Sequence, residues 1–538
     1  MRVVSLPVPS PLPMVALALL AVATTVLAQD AAPPVRIATG LVAGAPTVHP
    51  GVRVFRGLPY AAPPTGERRW RAPQPAPAWT GVRQADEFGP ACMQDTARRR
   101  APWTEEFMVQ EGVSEDCLYL NVWTASGTGA PATRPVLVYI HGGAFREGSG
   151  AVSVYDGTTF AARGLVVVTI NYRLGAFGFL AHPAFSAEAT TSSSGVHGVL
   201  DAIAALTWVR DNIAAFGGDP ARVTIAGQSA GAAMVHALTA SPPARGLFHR
   251  AIAQSGSGIA GITPIVLAEA EQRGADLATA LGATTAAALR AVPAADVMRE
   301  AARAGSAGLT LRPAIDGRVL VADTPDAFAR GIQNDVPMLT GLTADEGSSA
   351  PTYGRMTREQ FLEQTRGRFV ELADRFLALY PAGTDAEAAV SQVAAARDRG
   401  KASMFLWAEL RQKSPATASK VFTYYFTRGM PWPEHPQFAA FHTGDVPYAF
   451  GALERLARPW TRVDRALSDA MMSYWVNFAT SGDPNGGQAT PFPHVDPASP
   501  ATMELGERVG RRPLMDDVRL AFWRDFFASP HGKRVGMF

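Results

Sequence analysis

Six residues, Ala226-Gly227-Gln228-Ser229-Ala230-Gly231, constrain this chain more than any other segment. They stand between the apolar, β-branched run Arg222-Val223-Thr224-Ile225 and a stretch of helix formers over 230–238. A Gly-x-Ser-x-Gly sequence at a strand-to-helix junction is a nucleophile elbow, a turn so tight that its serine is held in a strained conformation. A β-carbon at Gly227 or Gly231 would clash with the neighbouring strand or helix. Ser229 is then placed at a helix N-terminus, where free N–H groups and the helix dipole favour negative charge.

The rest of the chain supplies the sheet that such a turn needs. Val136-Leu137-Val138-Tyr139-Ile140 and Leu165-Val166-Val167-Val168-Thr169-Ile170 are continuous apolar runs, suited to central parallel strands covered on both faces. Residues 199–216 carry apolar side chains at helical spacing, Gly217-Gly218-Asp219-Pro220 stops them, and the strand 222–226 follows. This alternation predicts an α/β fold, a mostly parallel sheet with helices on both faces. Residues 35–90 are dense in Gly and Pro and read as short strands and turns. Two Ala-rich helical blocks, 265–311 and 356–413, flank the short strand Val336-Pro337-Met338-Leu339-Thr340-Gly341 and read as lid excursions over the active edge of one sheet. With no repeat, heptad run or clear linker, 29–538 reads as one domain, although 538 residues would otherwise suggest several.

Residues 1–28 read as a secretory signal peptide: Met1-Arg2, an apolar run over 14–27, and small residues at Val26-Leu27-Ala28 before Gln29. The run is short for a membrane span, and no other stretch is long and apolar enough, so no stable membrane insertion is expected after cleavage. The implied location is periplasmic or secreted. Cys92 and Cys117 are the only cysteines, and an even count in an exported chain implies a disulfide with one possible pairing. Closing that loop would contribute roughly 3.5 kcal/mol in the chain-entropy model. Two cysteines offer too few ligands for zinc. A net charge of +2 leaves no electrostatic footprint for nucleic acid; Arg98-Arg99-Arg100, the longest basic run, reads as a solvated loop.

A serine hydroxyl becomes a nucleophile when a base takes its proton, and the oxyanion then formed needs preorganised donors. His141-Gly142-Gly143-Ala144-Phe145 follows the 136–140 strand and offers main-chain N–H groups of Gly142 and Gly143, with the N–H of Ala230 as a further donor. The base should follow the acid along the chain. His236 and His249 lie too close to the elbow, which leaves His435 and His442 level; Asp345-Glu346 is well placed for the acid.

At this point the chain resembles the type B carboxylesterases, α/β hydrolases that include the cholinesterases. The resemblance runs through Phe55-Arg56-Gly57-Leu58-Pro59-Tyr60, Ser114-Glu115-Asp116-Cys117-Leu118-Tyr119-Leu120-Asn121, Asn171-Tyr172-Arg173-Leu174-Gly175, Phe216-Gly217-Gly218-Asp219-Pro220, the elbow, Trp475-Val476-Asn477-Phe478 and Gly482-Asp483-Pro484-Asn485. It implies an α/β-hydrolase fold and a serine esterase acting on small ester substrates, with no metal or organic cofactor. Ala344-Asp345-Glu346-Gly347-Ser348 resembles the acid segment, making Glu346 the acid, and Phe441-His442-Thr443-Gly444-Asp445 resembles the histidine segment, making His442 the base. Cys92 and Cys117 match the first disulfide loop, and Ser255 matches a serine near the triad with a supporting role.

Where many members carry glutamate before the nucleophile, this chain has Gln228, which argues against cationic choline esters. Trp103 and Phe107 in the disulfide loop argue the other way, since an aromatic face can hold a quaternary ammonium. Arg146 could favour an acidic acyl group, or pair with Glu147 at the surface. An amidase, carbamate hydrolase or lactonase would use the same machinery. A neuroligin-like adhesion module, the reading from another class, has lost catalytic residues that all stand here.

Overall fold

Parallel strands carry the candidate site at their C-terminal ends. The computed structural model describes residue 1 and residues 33–97, 100–125, 133–189, 194–259, 261–306, 311–414, 416–487 and 489–532. The expected signal peptide (apart from Met1), together with Arg98 and Arg99, lies outside them. Among the described residues of Pro34–Phe538, seven strands form a continuous parallel run within one sheet: β1 (Arg134–Ile140), β2 (Val166–Ile170), β3 (Gly218–Gln228), β4 (Arg250–Gln254), β5 (Met338–Thr343), β6 (Val421–Phe426) and β7 (Ala501–Leu505). Their spatial order is β2-β1-β3-β4-β5-β6-β7. Antiparallel strands extend both ends: Tyr119–Ala125 beside β2, then Val52–Pro59, and Val509–Pro513 beside β7.

The continuous apolar reading of β1 has a direct structural cause. Val136, Val138 and Ile140 pack on one face with Val199 and Leu206 of α1 (His197–Asn212) and Met234 of α2 (Ala230–Thr239). Leu137 and Tyr139 point the other way, toward Met471 and Trp475 of α4 (Arg462–Ser481). Each buried Val, Leu or Ile contributes roughly 1.5–3 kcal/mol relative to exposure, so a polar residue anywhere along this strand would be costly.

Two elements depart from the sequence reading. β3 begins at Gly218, inside the expected stop, because Gly218 already pairs with Arg134 before the register shifts and resumes at Val223. The preceding Gly217, at φ 81°, ends the helical segment in the left-handed conformation. The second Ala-rich block is more than lid: its helix α3 (Asp385–Lys413) lies against β5 and β6, burying Met404, Phe405 and Trp407. Arg411 of α3 donates to the carbonyl of Val336 at 2.8 Å. Cys92 and Cys117 are joined by a disulfide. Among the described residues no helix is long and apolar enough to cross a membrane.

Candidate active site

Ser229 occupies the turn between β3 and α2 at φ 58°, ψ −121°, a conformation that costs a non-glycine residue about 1–3 kcal/mol. The surroundings enforce it. Its N–H donates to the carbonyl of Gln254 at 2.8 Å, and its own carbonyl accepts from Ala233 at 3.0 Å. A β-carbon on Gly231 would stand 2.0 Å from the Ile140 oxygen, and one on Gly227 would meet the Gly231 backbone at 2.5 Å. Both glycines of the elbow are therefore steric requirements.

His442 Nε2 lies 2.8 Å from Ser229 Oγ, and Nδ1 of the same ring is hydrogen-bonded to Glu346 Oε2. The other oxygen of Glu346 accepts the N–H of Thr343 at 2.8 Å, which fixes the carboxylate. Glu346 and His442 follow β5 and β6, and the two loops are held together by the N–H of Asp345, which donates to the Ala440 carbonyl at 3.0 Å. The Asp345 carboxylate is committed elsewhere, to Arg397 at 2.7 Å and the Tyr353 hydroxyl at 3.0 Å. The pair left level by spacing is thus separated: His442 meets Ser229, whereas His435 packs against Trp432, ring centroids 4.5 Å apart. His236 is buried behind the elbow, bonded to the Gly256 carbonyl at 2.8 Å, and burial lowers it to about 4.

The loop after β1 runs through three successive positive φ values, 104° at Gly143, 54° at Ala144 and 59° at Phe145. A β-carbon on Gly143 would lie 2.0 Å from the Glu147 oxygen, and one on Gly142 would lie 2.7 Å from the Gln228 oxygen and 3.1 Å from Ser229 Cβ. Among the described residues, no acceptor takes the N–H of Gly142, Gly143 or Ala230. His141, held neutral by burial that lowers it to about 4, donates from Nδ1 to the Gly142 carbonyl at 2.8 Å and stacks on Tyr172. Tyr172 returns a hydrogen bond to the His141 carbonyl at 3.0 Å.

Two contributors, Gln94 and Asp445, carry no sequence signal for their roles. Gln94, just inside the disulfide loop, bonds Gly148 twice, donating to its carbonyl at 2.9 Å and accepting its N–H at 2.7 Å. Asp445, fully buried, accepts from Tyr424 at 2.6 Å and Gln254 at 3.0 Å; burial raises its pKa, and these two bonds oppose the rise. Gln228 is buried with its amide 3.2 Å from His442 Nε2, so it touches the ring directly. Ser255 is buried at φ 52°, and its hydroxyl has no partner among the described residues. Trp103 donates to the Thr443 hydroxyl at 3.1 Å, beside His442, and Phe107 packs on Phe441. Arg100 is exposed, with its guanidinium over the Trp103 ring at 5.1 Å and a hydrogen bond to the Ser349 hydroxyl at 3.1 Å. Arg146 and Glu147 are both exposed, and among the described residues they form no ion pair with each other.

A hydroxyl bonded to an imidazole, itself held by a carboxylate at the C-terminal edge of a parallel sheet, belongs to the acyl-transfer hydrolases. Comparison with known proteins narrows the class. Residues 31–523 match the model of the carboxylesterase family, and the chain belongs to that family. It is 36% identical over 482 residues to fumonisin B1 esterase of Sphingopyxis macrogoltabida, covering 85% of this chain and 84% of that protein. It is 35% identical over 462 residues to para-nitrobenzyl esterase of Bacillus subtilis (strain 168), covering 82% and 88%. Phenmedipham hydrolase of Pseudarthrobacter oxydans is 34% identical over 483 residues, covering 85% and 92%. A thermophilic PNB esterase superposes with a TM-score of 0.77 at 31% identity, covering 91% of this chain and 99% of that one. The fold is that of the α/β hydrolases, and the protein is a carboxylic ester hydrolase.

Proposed function

We propose that ester hydrolysis proceeds through an acyl-enzyme on Ser229, with His442 as base and then acid and Glu346 orienting the ring and stabilising the imidazolium. The N–H groups of Gly142, Gly143 and Ala230 hold the oxyanion. The observation that carries this reading is the 2.8 Å contact between His442 Nε2 and Ser229 Oγ, with Nδ1 already engaged by Glu346. A serine-directed organophosphate tests it: the reagent's mass should appear on the peptide containing Ser229 as activity is lost, and labelling elsewhere would refute the assignment.

Neutral or anionic esters are the preferred substrates in this reading. Gln228 supplies no anion beside the serine, and the Trp103 face that could receive a quaternary ammonium is covered by Arg100. Both features weaken a choline ester. A neutral butyrate ester should therefore exceed butyrylcholine in kcat/KM by about tenfold or more, the scale of a lost cation–π contact or a mismatched pocket. Side-by-side kinetics decide it, and a choline ester that wins overturns the charge argument.

We also infer that the chain is exported and that 29–538 works as one domain. Export is supported by the N-terminal sequence and by the bonded cysteine pair. N-terminal sequencing of protein recovered from an exporting host should begin near Gln29; an intact Met1 would count against export.

A further inference from the structure

The direction of the Gly143 N–H is set from the back of its loop. In a planar trans peptide the N–H and the C=O point in opposite directions. Nδ1 of His141 holds the Gly142 carbonyl at 2.8 Å, so the same bond turns the N–H of Gly143 to the other side. Behind this pair stands Gly148, at φ 113°. It packs so closely that a β-carbon there would lie 2.3 Å from His141 Nδ1 and 2.6 Å from the Gly142 oxygen. A shift of Gly148 therefore reaches the bond that orients Gly143, because close-packed groups transmit displacement.

Gly148 is in turn held from outside the loop. The Gly143 carbonyl accepts from the N–H groups of Arg146 and Glu147 at 2.9 and 3.0 Å, which closes a short turn. Beyond that turn the N–H of Gly148 donates to Gln94 Oε1 at 2.7 Å, and its C=O accepts from Gln94 Nε2 at 2.9 Å. Nε2 also donates to the Cys92 carbonyl at 2.9 Å, beside the Cys92–Cys117 disulfide. The Gln94 side chain is thus a clamp between the disulfide loop and the last residue that backs His141. Gln94 is only 6% exposed, and removing its amide would strand both polar groups of Gly148 where water does not readily replace it.

We propose that Gln94 is a positioning residue for the oxyanion hole: it keeps Gly148 against His141, and so keeps the Gly143 N–H directed at the developing charge. This rests on the assignment of Gly142 and Gly143 as oxyanion donors. Its effect belongs to the transition state, because a donor that is misdirected by a fraction of an ångström still admits the substrate and fails only when charge appears on oxygen.

Steady-state kinetics of Gln94→Met on p-nitrophenyl butyrate and on its thiono analogue, in which sulfur replaces the carbonyl oxygen, test the role. Methionine keeps the length of glutamine and lacks the amide. Sulfur is larger than oxygen and a weaker acceptor, so the thiono ester draws little on the N–H donors. The wild type should hydrolyse the oxo ester at least about a hundredfold faster, the scale of one lost oxyanion donor. Gln94→Met should lower kcat on the oxo ester about tenfold or more with KM within about twofold, the pattern of an interaction made only in the transition state. It should slow the thiono ester much less, so the preference narrows. If Gln94→Met does not fold, Gln94→Asn, one methylene too short to span both bonds, carries the same expectation. An unchanged kcat in a folded variant, or an equal loss on both esters, would overturn the role of Gln94 and leave the oxyanion assignment standing. A wild type with no preference for the oxo ester would remove the oxyanion assignment, and the proposal with it.

Discussion

Ser229→Ala should lower kcat by at least about four orders of magnitude, and on the order of a millionfold where a triad acts as one unit. No other side chain stands where Ser229 Oγ does, and water cannot replace it at a comparable rate. Folding should be almost unaffected, because alanine meets the same backbone cost at φ 58° as serine. Ser229→Gly separates the two roles of this position. Glycine accepts that φ, so the variant should be equally inactive yet slightly more stable, by about 1 kcal/mol, readable as a higher Tm. A Ser229→Ala protein with more than about a tenth of wild-type turnover would remove Ser229 from the mechanism.

His442→Ala should be nearly as damaging, whereas His435→Ala should retain most activity. The reason is geometric: only His442 places one nitrogen 2.8 Å from the serine hydroxyl and the other on a carboxylate. The pH dependence has a definite sign. A protonated His442 has no lone pair for the serine proton, so kcat/KM should fall as the solution is made acid. Two other histidines reinforce the fall through stability. His141 and His236 are kept neutral by burial, each lowered to about 4, whereas in the unfolded chain they protonate near 6.5. Below about pH 6.5 the unfolded state binds more protons, and the native state loses stability progressively down toward pH 4. Thermal melts at pH 5 and pH 8 separate this loss from the kinetic effect. Equal activity losses in the two alanine variants would mean that the segment 435–442 has been read wrongly.

Features legible in the sequence share one property: their mark lies within one short segment. The elbow is six residues long even though the Gly231 clash is with Ile140 of the neighbouring strand, and the β1 run is apolar along its whole length because both of its faces are covered. The choice between His435 and His442 was not local. It depends on the loops after β5 and β6 meeting at Asp345 and Ala440, a long-range pairing that leaves no mark on spacing; family resemblance supplied it instead. Gln94 and Asp445 were invisible for the same reason, since their partners lie 54 and 191 residues away. An Ala-rich helix reads alike whether it covers a cleft or a sheet face, so the sequence does not show that α3 packs on β5 and β6. The basic run that ends at Arg100 reads as a solvated loop, and nothing in its spacing shows that Arg100 meets Ser349, 249 residues away.

Ser229 and His442 are separated by 213 residues, and His442 and Glu346 by 96, yet each is delivered by the end of a strand in one parallel sheet. No fragment that lacks β5 or β6 can present the three groups together, so activity must appear late in folding, after the slow non-local pairings have closed. The same arrangement gives evolution a division of labour. Segments that leave one strand end and return to the next can lengthen, shorten or change sequence while the strand ends keep their spacing. New ester specificity can therefore arise by exchanging whole loops, without disturbing the hydrogen bonds that join Ser229, His442 and Glu346.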